Sequence, residues 1–219
     1  MNYPVRRGLI SFVRERDAVA LCRALREIWG SYPTSVSHSL MNLLSTHDTE
    51  RILTVLGGAP DDGSRTNAEL REVRLTADER KHATELLKIA AALQYTVFGV
   101  PSVFYGDEAG LEGYHDPFCR RPYPWGAEDK DLLAFYRKLG RIRCENPVLA
   151  EGDFAILHES KHALAFERKN EKGHLIIAAN RGDTALPLQL PAPATELLSR
   201  KKVGKRVEIL PSEVKIFKV

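Results

Sequence analysis

Three polar clusters interrupt apolar runs in this chain and could do chemistry. Ser45-Thr46-His47-Asp48 ends the run "LMNLL", Gly106-Asp107-Glu108 follows Val103-Phe104-Tyr105, and the loop "GYHDPFCRRPYPW" occupies 113–125. An imidazole beside a carboxylate can move protons or hold hydroxyl groups. The loop combines Tyr114, Phe118, Tyr123 and Trp125 with Asp116, Arg120 and Arg121. Aromatic faces matched to the apolar faces of sugar rings, interleaved with planar bidentate donors and a carboxylate, suit an oligosaccharide. Each cluster also has a plainer reading. A solvated strand-to-helix turn would give the first two, and packing between two parts of the molecule would give the third.

The elements around the clusters must aim them. Residues 18–29, "AVALCRALREIW", carry Ala18, Leu21, Cys22, Leu25, Ile28 and Trp29 on one helical stripe, with Asp17 as the cap before it and Gly30 after it. The run 40–44 suits a strand buried on both faces, followed by a short helix over roughly 49–57 and a Gly/Asp/Ser loop at 57–64. Thr76 and Glu79 form a capping box that opens a helix over 77–98, which Gly99 and Pro101 end. A second buried strand runs through Val103-Phe104-Tyr105. Two such strands joined by a helix are parallel with a right-handed crossover, so 45–48 and 106–108 emerge on one side of a sheet, where ligands bind. Residues 130–143 return to helical spacing.

From about Val148 the pattern changes. "DFAILH", "ALAFER", "HLIIAAN", "ALPLQL", "RVEIL" and "EVKIFKV" are short strands separated by turn residues, which predicts a small antiparallel β-sandwich. The division falls at 146/147, giving a region 1–146 and a sandwich 147–219. The basic run Arg200-Lys201-Lys202 with Lys205-Arg206 reads as a solvated hairpin, with an anion-binding patch as the alternative.

The balance of 32 basic and 29 acidic residues leaves a formal charge of +3, which argues against nucleic acid or an anionic membrane as partner. No stretch reaches the ~20 apolar residues of a membrane span. Cys22, Cys119 and Cys144 are far apart and show no C-x-x-C spacing, so neither a disulfide framework nor a structural zinc site is indicated. A reducing, cytoplasmic setting is expected, and no metal or other cofactor is evident.

The combination is more specific than its parts. "NLLSTHDTERIL" (42–53) followed by "GVPSVFYGDEAGLEGYHDPFCRRPYPW" (99–125), with "MNYP" at 1–4, resembles the last third of the α-amylase family of glycoside hydrolases, in its neopullulanase, cyclomaltodextrinase and maltogenic amylase branch. The resemblance implies α/β plus all-β architecture: the last strands and helices of a (β/α)8 barrel, then that family's C-terminal sandwich. It implies that Asp48 is the carboxylate stabilising the transition state, that His47 bonds the same sugar ring, and that Asp116, Arg120 and Trp125 bind sugars further along an α-glucan or maltooligosaccharide. Glu50 and Arg51 read as helix-start or supporting residues. Asp107 and Glu108 read as a turn closing the last strand.

Retaining glycosidases need a nucleophile and a general acid/base held about 5–5.5 Å apart. In the family both lie on strands that precede "MNYP". The one tempting substitute, Asp17, has Glu15 and not Arg two residues before it, and it opens a helix. The chain is therefore expected to lack hydrolysis by itself. A barrel cut in this way leaves an open sheet edge, which predicts a homodimer or another association through that edge. The alternative is a non-catalytic carbohydrate-binding or structural module.

Overall fold

The computed structural model describes residues 1–58, 61 and 63–219, so part of the 57–64 loop lies outside the described residues. Helix α1 (Tyr3–Ile10) starts with Asn2, whose side chain accepts from the Val5 amide, and continues into a π-helical turn at Ser11–Glu15. That turn ends at Arg16, with φ 62°. Helix α2 (Ala18–Ser31) opens on Asp17, which accepts from the Ala20 amide at 3.0 Å. Asp17 is thus a cap and no catalytic group. The expected stripe holds, with Leu21, Cys22 and Leu25 fully buried. Helix α3 (Thr34–Ser39) leads into strand β1 (Met41–Leu43).

After β1 come α4 (Ile52–Gly57), α5 (Asn67–Glu72), the long α6 (Ala77–Thr96) and strand β2 (Val100–Ser102). The Thr76–Glu79 box is present, each side chain bonding the other's backbone amide. Gly99, at φ +92°, turns the chain from α6 into β2 so close to β1 that a Cβ there would sit 2.5 Å from the Leu40 carbonyl. β1 and β2 pair in parallel, Met41 with Val100 and Leu43 with Ser102. Among the described residues these two strands form no closed barrel.

Two expectations for these strands need correction. The second strand lies before Val103-Phe104-Tyr105 and not through it. The rings of Phe104 and Tyr105 instead clamp Arg51, and the chain turns at Gly106, φ +90°. Nor is either strand buried on both faces, since Met41 is 38% and Val100 49% exposed. The first short helix also starts later than expected. Residues 46–49 form a turn in which Thr49 Oγ1 accepts from the Thr46 amide at 3.0 Å.

A buried polar ladder fixes this thin sheet. Asn2 donates to Asn42 Oδ1 at 2.9 Å, Asn42 donates to the Phe98 carbonyl at 2.6 Å, and Gln94 bridges the carbonyls of Asn42 and Ser102 at 3.1 and 2.9 Å. The Asn2 amide also donates to the Met41 carbonyl at 2.8 Å, so the start of the chain lies along the outer edge of β1.

Helix α7 (Lys130–Glu145) and the short α8 (Val148–Glu151) precede the strands β3 (Asp153–Glu159), β4 (Ala163–Asn170), β5 (Gly173–Asn180), β6 (Leu186–Gln189), β7 (Ala194–Glu196), β8 (Lys201–Val203), β9 (Arg206–Ile209) and β10 (Glu213–Lys218). They form an antiparallel sheet in the order β3-β4-β5-β10-β7-β8 and a ribbon β6-β9. Side chains alternate between two cores. Leu164, Phe166, Leu175, Ile177 and Ile216 join the cluster that contains α2 and α6, while Ala165, Ile176, Ala178 and Phe217 pack under the ribbon with Leu190 and Ile209. β5 reads as an unbroken apolar run because both its faces are covered.

The basic run is not a hairpin. β8 pairs with β7 and β9 pairs with β6, so Gly204-Lys205 carries the chain from one sheet to the other. Val203 and Val207 both pack on the small core, which pulls the flanking strands into different layers.

Candidate active site

Ser45 follows β1 by two residues and is buried. Its hydroxyl donates to Asp107 Oδ1 at 2.9 Å and accepts from the Ile52 amide at 2.8 Å, joining the first strand end to the start of α4 and to the second cluster. Arg51, fully buried, crosses the same space. Its Nε donates to the Cys119 carbonyl at 2.6 Å, its Nη1 to the Tyr105 carbonyl and, at 3.3 Å, to Asp107. The Arg51 amide takes the Gly113 carbonyl at 2.9 Å, and its guanidinium lies 4.1 Å from the Phe104 ring centroid and 4.6 Å from that of Tyr105. One side chain therefore ties all three clusters together. Burial pushes the Asp107 carboxyl up to about 7, against the lowering effects of Arg51 and Ser45.

The groups facing solvent sit on this base. His47 Nε2 is 3.2 Å from Asp48 Oδ1, with the two side chains 60% and 63% exposed. Arg120 Nη2 lies 3.7 Å from the same Asp48 oxygen, and its Nε is 2.8 Å from Asp116 Oδ1. The Arg120 Nε at 3.1 Å and the Cys119 Sγ at 3.3 Å also donate to the His47 carbonyl. Four of the five residues singled out in the sequence are thus gathered: His47, Asp48, Asp116 and Arg120. The Asp116–Pro117 bond is cis.

Trp125 is not brought to them by any contact among the described residues. It is 84% exposed and packs on Tyr123, ring centroids 4.5 Å apart. Glu108 accepts from the Gly106 amide at 2.9 Å, consistent with its reading as part of a closing turn. Sequence reasoning missed Arg6, whose Nε donates to the Leu44 carbonyl at 2.6 Å beneath the first cluster. Its position in "VRRG", on the buried side of α1, carries no signal of that reach. Cys119 was noticed only as an unpaired thiol. Among the described residues no group of acidic, imidazole and thiol side chains could hold a metal.

A carboxylate, an imidazole and a guanidinium thus face solvent beyond the carboxyl end of the paired parallel strands, above a buried ionic base. The chain is 37% identical over 206 residues to an amylopullulanase of Thermoanaerobacter thermohydrosulfuricus, covering 84% of this chain and 13% of that one. It is 33% identical over 186 residues to a cyclomaltodextrinase of a Bacillus species, covering 82% and 29%. The solved structure of a cyclomaltodextrinase superposes over 100% of this chain and 36% of its own, with TM-score 0.80 and 27% identity. No protein-family model matches. The chain is a relative of the α-amylase family of glycoside hydrolases, akin to its neopullulanase, cyclomaltodextrinase and maltogenic amylase members. It spans between about a tenth and a third of the length of the curated relatives it matches. Among the described residues no helix is long and apolar enough to cross a membrane.

Proposed function

We propose that this chain is the substrate-stabilising part of an α-glucan hydrolase of the α-amylase family, acting on α-1,4 or α-1,6 glucosidic bonds with retention. In this reading residues 1–146 are the C-terminal part of a (β/α)8 barrel and 147–219 a C-terminal β-sandwich. The gathering of His47, Asp48, Asp116 and Arg120 into one solvent-facing cluster carries the proposal. Asp48 accepts hydrogen bonds from hydroxyls of the ring being cleaved, and His47 donates to the same ring. Both bonds strengthen as the ring flattens toward an oxocarbenium-like transition state, so they lower the barrier and do not merely hold substrate. Arg120, shared between Asp48 and Asp116, offsets the repulsion between the two carboxylates and bonds a neighbouring sugar. Trp125 stacks on a sugar further out. The free thiols Cys22, Cys119 and Cys144 suit a cytoplasmic setting.

The nucleophile and general acid come from outside these 219 residues. The isolated chain therefore binds maltooligosaccharides without cleaving them. Calorimetric titration with maltooligosaccharides should give binding that disappears in Asp48→Ala and weakens in Trp125→Ala. Binding that survives Asp48→Ala but falls with Trp125→Ala would favour a non-catalytic carbohydrate-binding module, a reading that the exposed Tyr123–Trp125 pair supports. Turnover by the chain alone, abolished in Asp48→Asn, would overturn the assignment of the missing groups.

A further inference from the structure

The loop that carries part of the candidate site has a second arginine, which the proposed chemistry does not use. Arg120 reaches Asp48 and Asp116, whereas the next side chain, Arg121, turns to helix α5 and donates through Nη2 to the Arg71 carbonyl at 2.6 Å. Arg74 reaches the same oxygen, its Nη1 donating to the carbonyls of Arg71 at 2.8 Å and Val73 at 2.7 Å. A carbonyl in the last turn of a helix is commonly satisfied by one basic side chain. Here two guanidinium groups converge on one oxygen. Burial, and then the charge of Arg74, lowers the Arg121 guanidinium from its ordinary value. The nearby carboxylates are already engaged. Glu112 gives one oxygen to Arg80 and the other to the Leu75 amide at 2.9 Å, and Glu72 lies on the exposed side of α5, 3.4 Å from Arg71. Among the described residues neither Arg74 nor Arg121 has a carboxylate within ion-pair distance. Arg121 makes one hydrogen bond there, and its Nε is buried without a partner. Two like charges on one neutral acceptor repel each other until an anion joins them.

We infer that Arg74 and Arg121, converging on the Arg71 carbonyl, hold a phosphate group next to the candidate active site. A carboxylate carries one charge and is matched by a single guanidinium fork. A phosphate group brings nearly two charges and three strong acceptor oxygens, which two forks can share. Arg121 is half-buried, and its backbone is held by the Tyr105 hydroxyl, which donates to the Arg121 carbonyl at 3.0 Å. Arg74 is exposed. The anion therefore enters from solvent and meets one anchored guanidinium and one that can close on it. Because Arg120 and Arg121 are successive residues, a phosphate held there lies beside the sugar that Arg120 bonds. Two sources share this chemistry: a phosphate monoester carried on the α-glucan, which rests on the proposed function, and inorganic phosphate, which does not.

Titration of the full chain with inorganic phosphate, followed by NMR through the arginine Nε–H signals, should shift Arg74 and Arg121 to saturation. Arg74→Gln and Arg121→Gln should each weaken binding by about tenfold or more, and Arg74→Lys should recover only part of it, since an ammonium offers no fork. Arg74 is exposed, so its variants report on binding in a folded chain. Asp48→Asn should leave phosphate affinity unchanged. A maltooligosaccharide bearing one phosphate monoester should bind about tenfold tighter than its unphosphorylated form, and lose that gain in Arg74→Gln. Saturation by inorganic phosphate without such a gain would support the site and assign it to the free ion. No saturable shift, or one that both glutamine variants leave unchanged, would overturn the inference, and the two arginines would then only close the end of α5. If phosphate binds through Arg74 and Arg121 while Asp48→Asn changes nothing for either maltooligosaccharide, the proposed function fails and the phosphate site stands.

Discussion

Among the described residues the two largest fully buried side chains are both arginines, Arg51 under the candidate site and Arg168 at the joint between helices and sheet, and they are held in different ways. Among the described residues Arg168 has no carboxylate partner within ion-pair distance. It donates to the carbonyls of Thr96, Leu149 and Gly152 at 3.1, 2.9 and 2.9 Å, where the ends of α6 and α8 leave acceptors free. Burial, with the nearby charge of Arg143, lowers its guanidinium to about 9. Arg51 shares its charge with a buried carboxylate and two aromatic faces. The joint is thus a set of neutral acceptors around one cation, whereas the base of the site is an ion pair whose carboxylate can titrate. The first arrangement holds two layers together at any pH near neutrality. The second couples the site to pH.

The largest expected effect is at the joint. Arg168→Met should cost about 4–5 kcal/mol, because it removes the guanidinium donor from the carbonyls of Thr96, Leu149 and Gly152 while keeping most of the side-chain volume. Denaturant unfolding measures it. A loss under about 1 kcal/mol would mean that the joint is held by apolar contact alone. Arg51→Met should cost about 3 kcal/mol, less than Arg168→Met because Asp107 can take up a proton and become neutral. It should also release the 113–121 loop, seen as lost protection of the Gly113 and Cys119 region in hydrogen exchange. If the loop stays protected, the three clusters are not tied through Arg51.

The same contrast explains what the sequence revealed. Asp17 and the Thr76–Glu79 box were legible because a cap involves residues three apart, and the structure places each as expected. His47, Asp48, Asp116 and Arg120 were legible as a motif, and their gathering follows from the parallel pairing of two short strands. Arg51 was legible only as a helix-start or supporting residue. Its partners, Tyr105, Asp107, Gly113 and Cys119, are distant in the chain, and no local pattern announces such a convergence. The β2 strand was placed a few residues late for the same reason: Phe104 and Tyr105 look like strand residues, but the buried guanidinium takes their rings. Likewise β8 and β9 look like one hairpin until Val203 and Val207 are seen packing under the ribbon between two sheets.

Asp107 supplies a smaller and more specific effect. In the unfolded chain its carboxyl loses its proton near the ordinary value of 3.8, and in the folded chain it holds it to about 7. Between those values the folded state binds more protons, so this group makes stability fall as pH rises. The slope is about 1.4 kcal/mol per pH unit, or about 2 kcal/mol from pH 5 to 6.5. The comparison is with Asp107→Asn, which keeps the Ser45 contact but cannot ionise. The difference between the two stability-versus-pH curves should carry that slope. Parallel curves would show that Arg51 keeps Asp107 ionised throughout.

The smallest stability effect should fall on the residue that matters most to the proposed chemistry. Asp48 is 63% exposed and holds Arg120 only at 3.7 Å, so Asp48→Asn should change stability by no more than about 0.5 kcal/mol. Its effect on ligand should be far larger, because an amide cannot accept hydrogen bonds from two hydroxyls at both ends as a carboxylate does, and because Arg120 is then left to pair with Asp116 alone. Unchanged melting with lost maltooligosaccharide binding is the expected pair of results. A substantial drop in melting temperature would instead make Asp48 part of the ionic base that Arg51 and Asp107 form, and the line between the rigid base and the ligand-facing cluster would have to be drawn one layer further out.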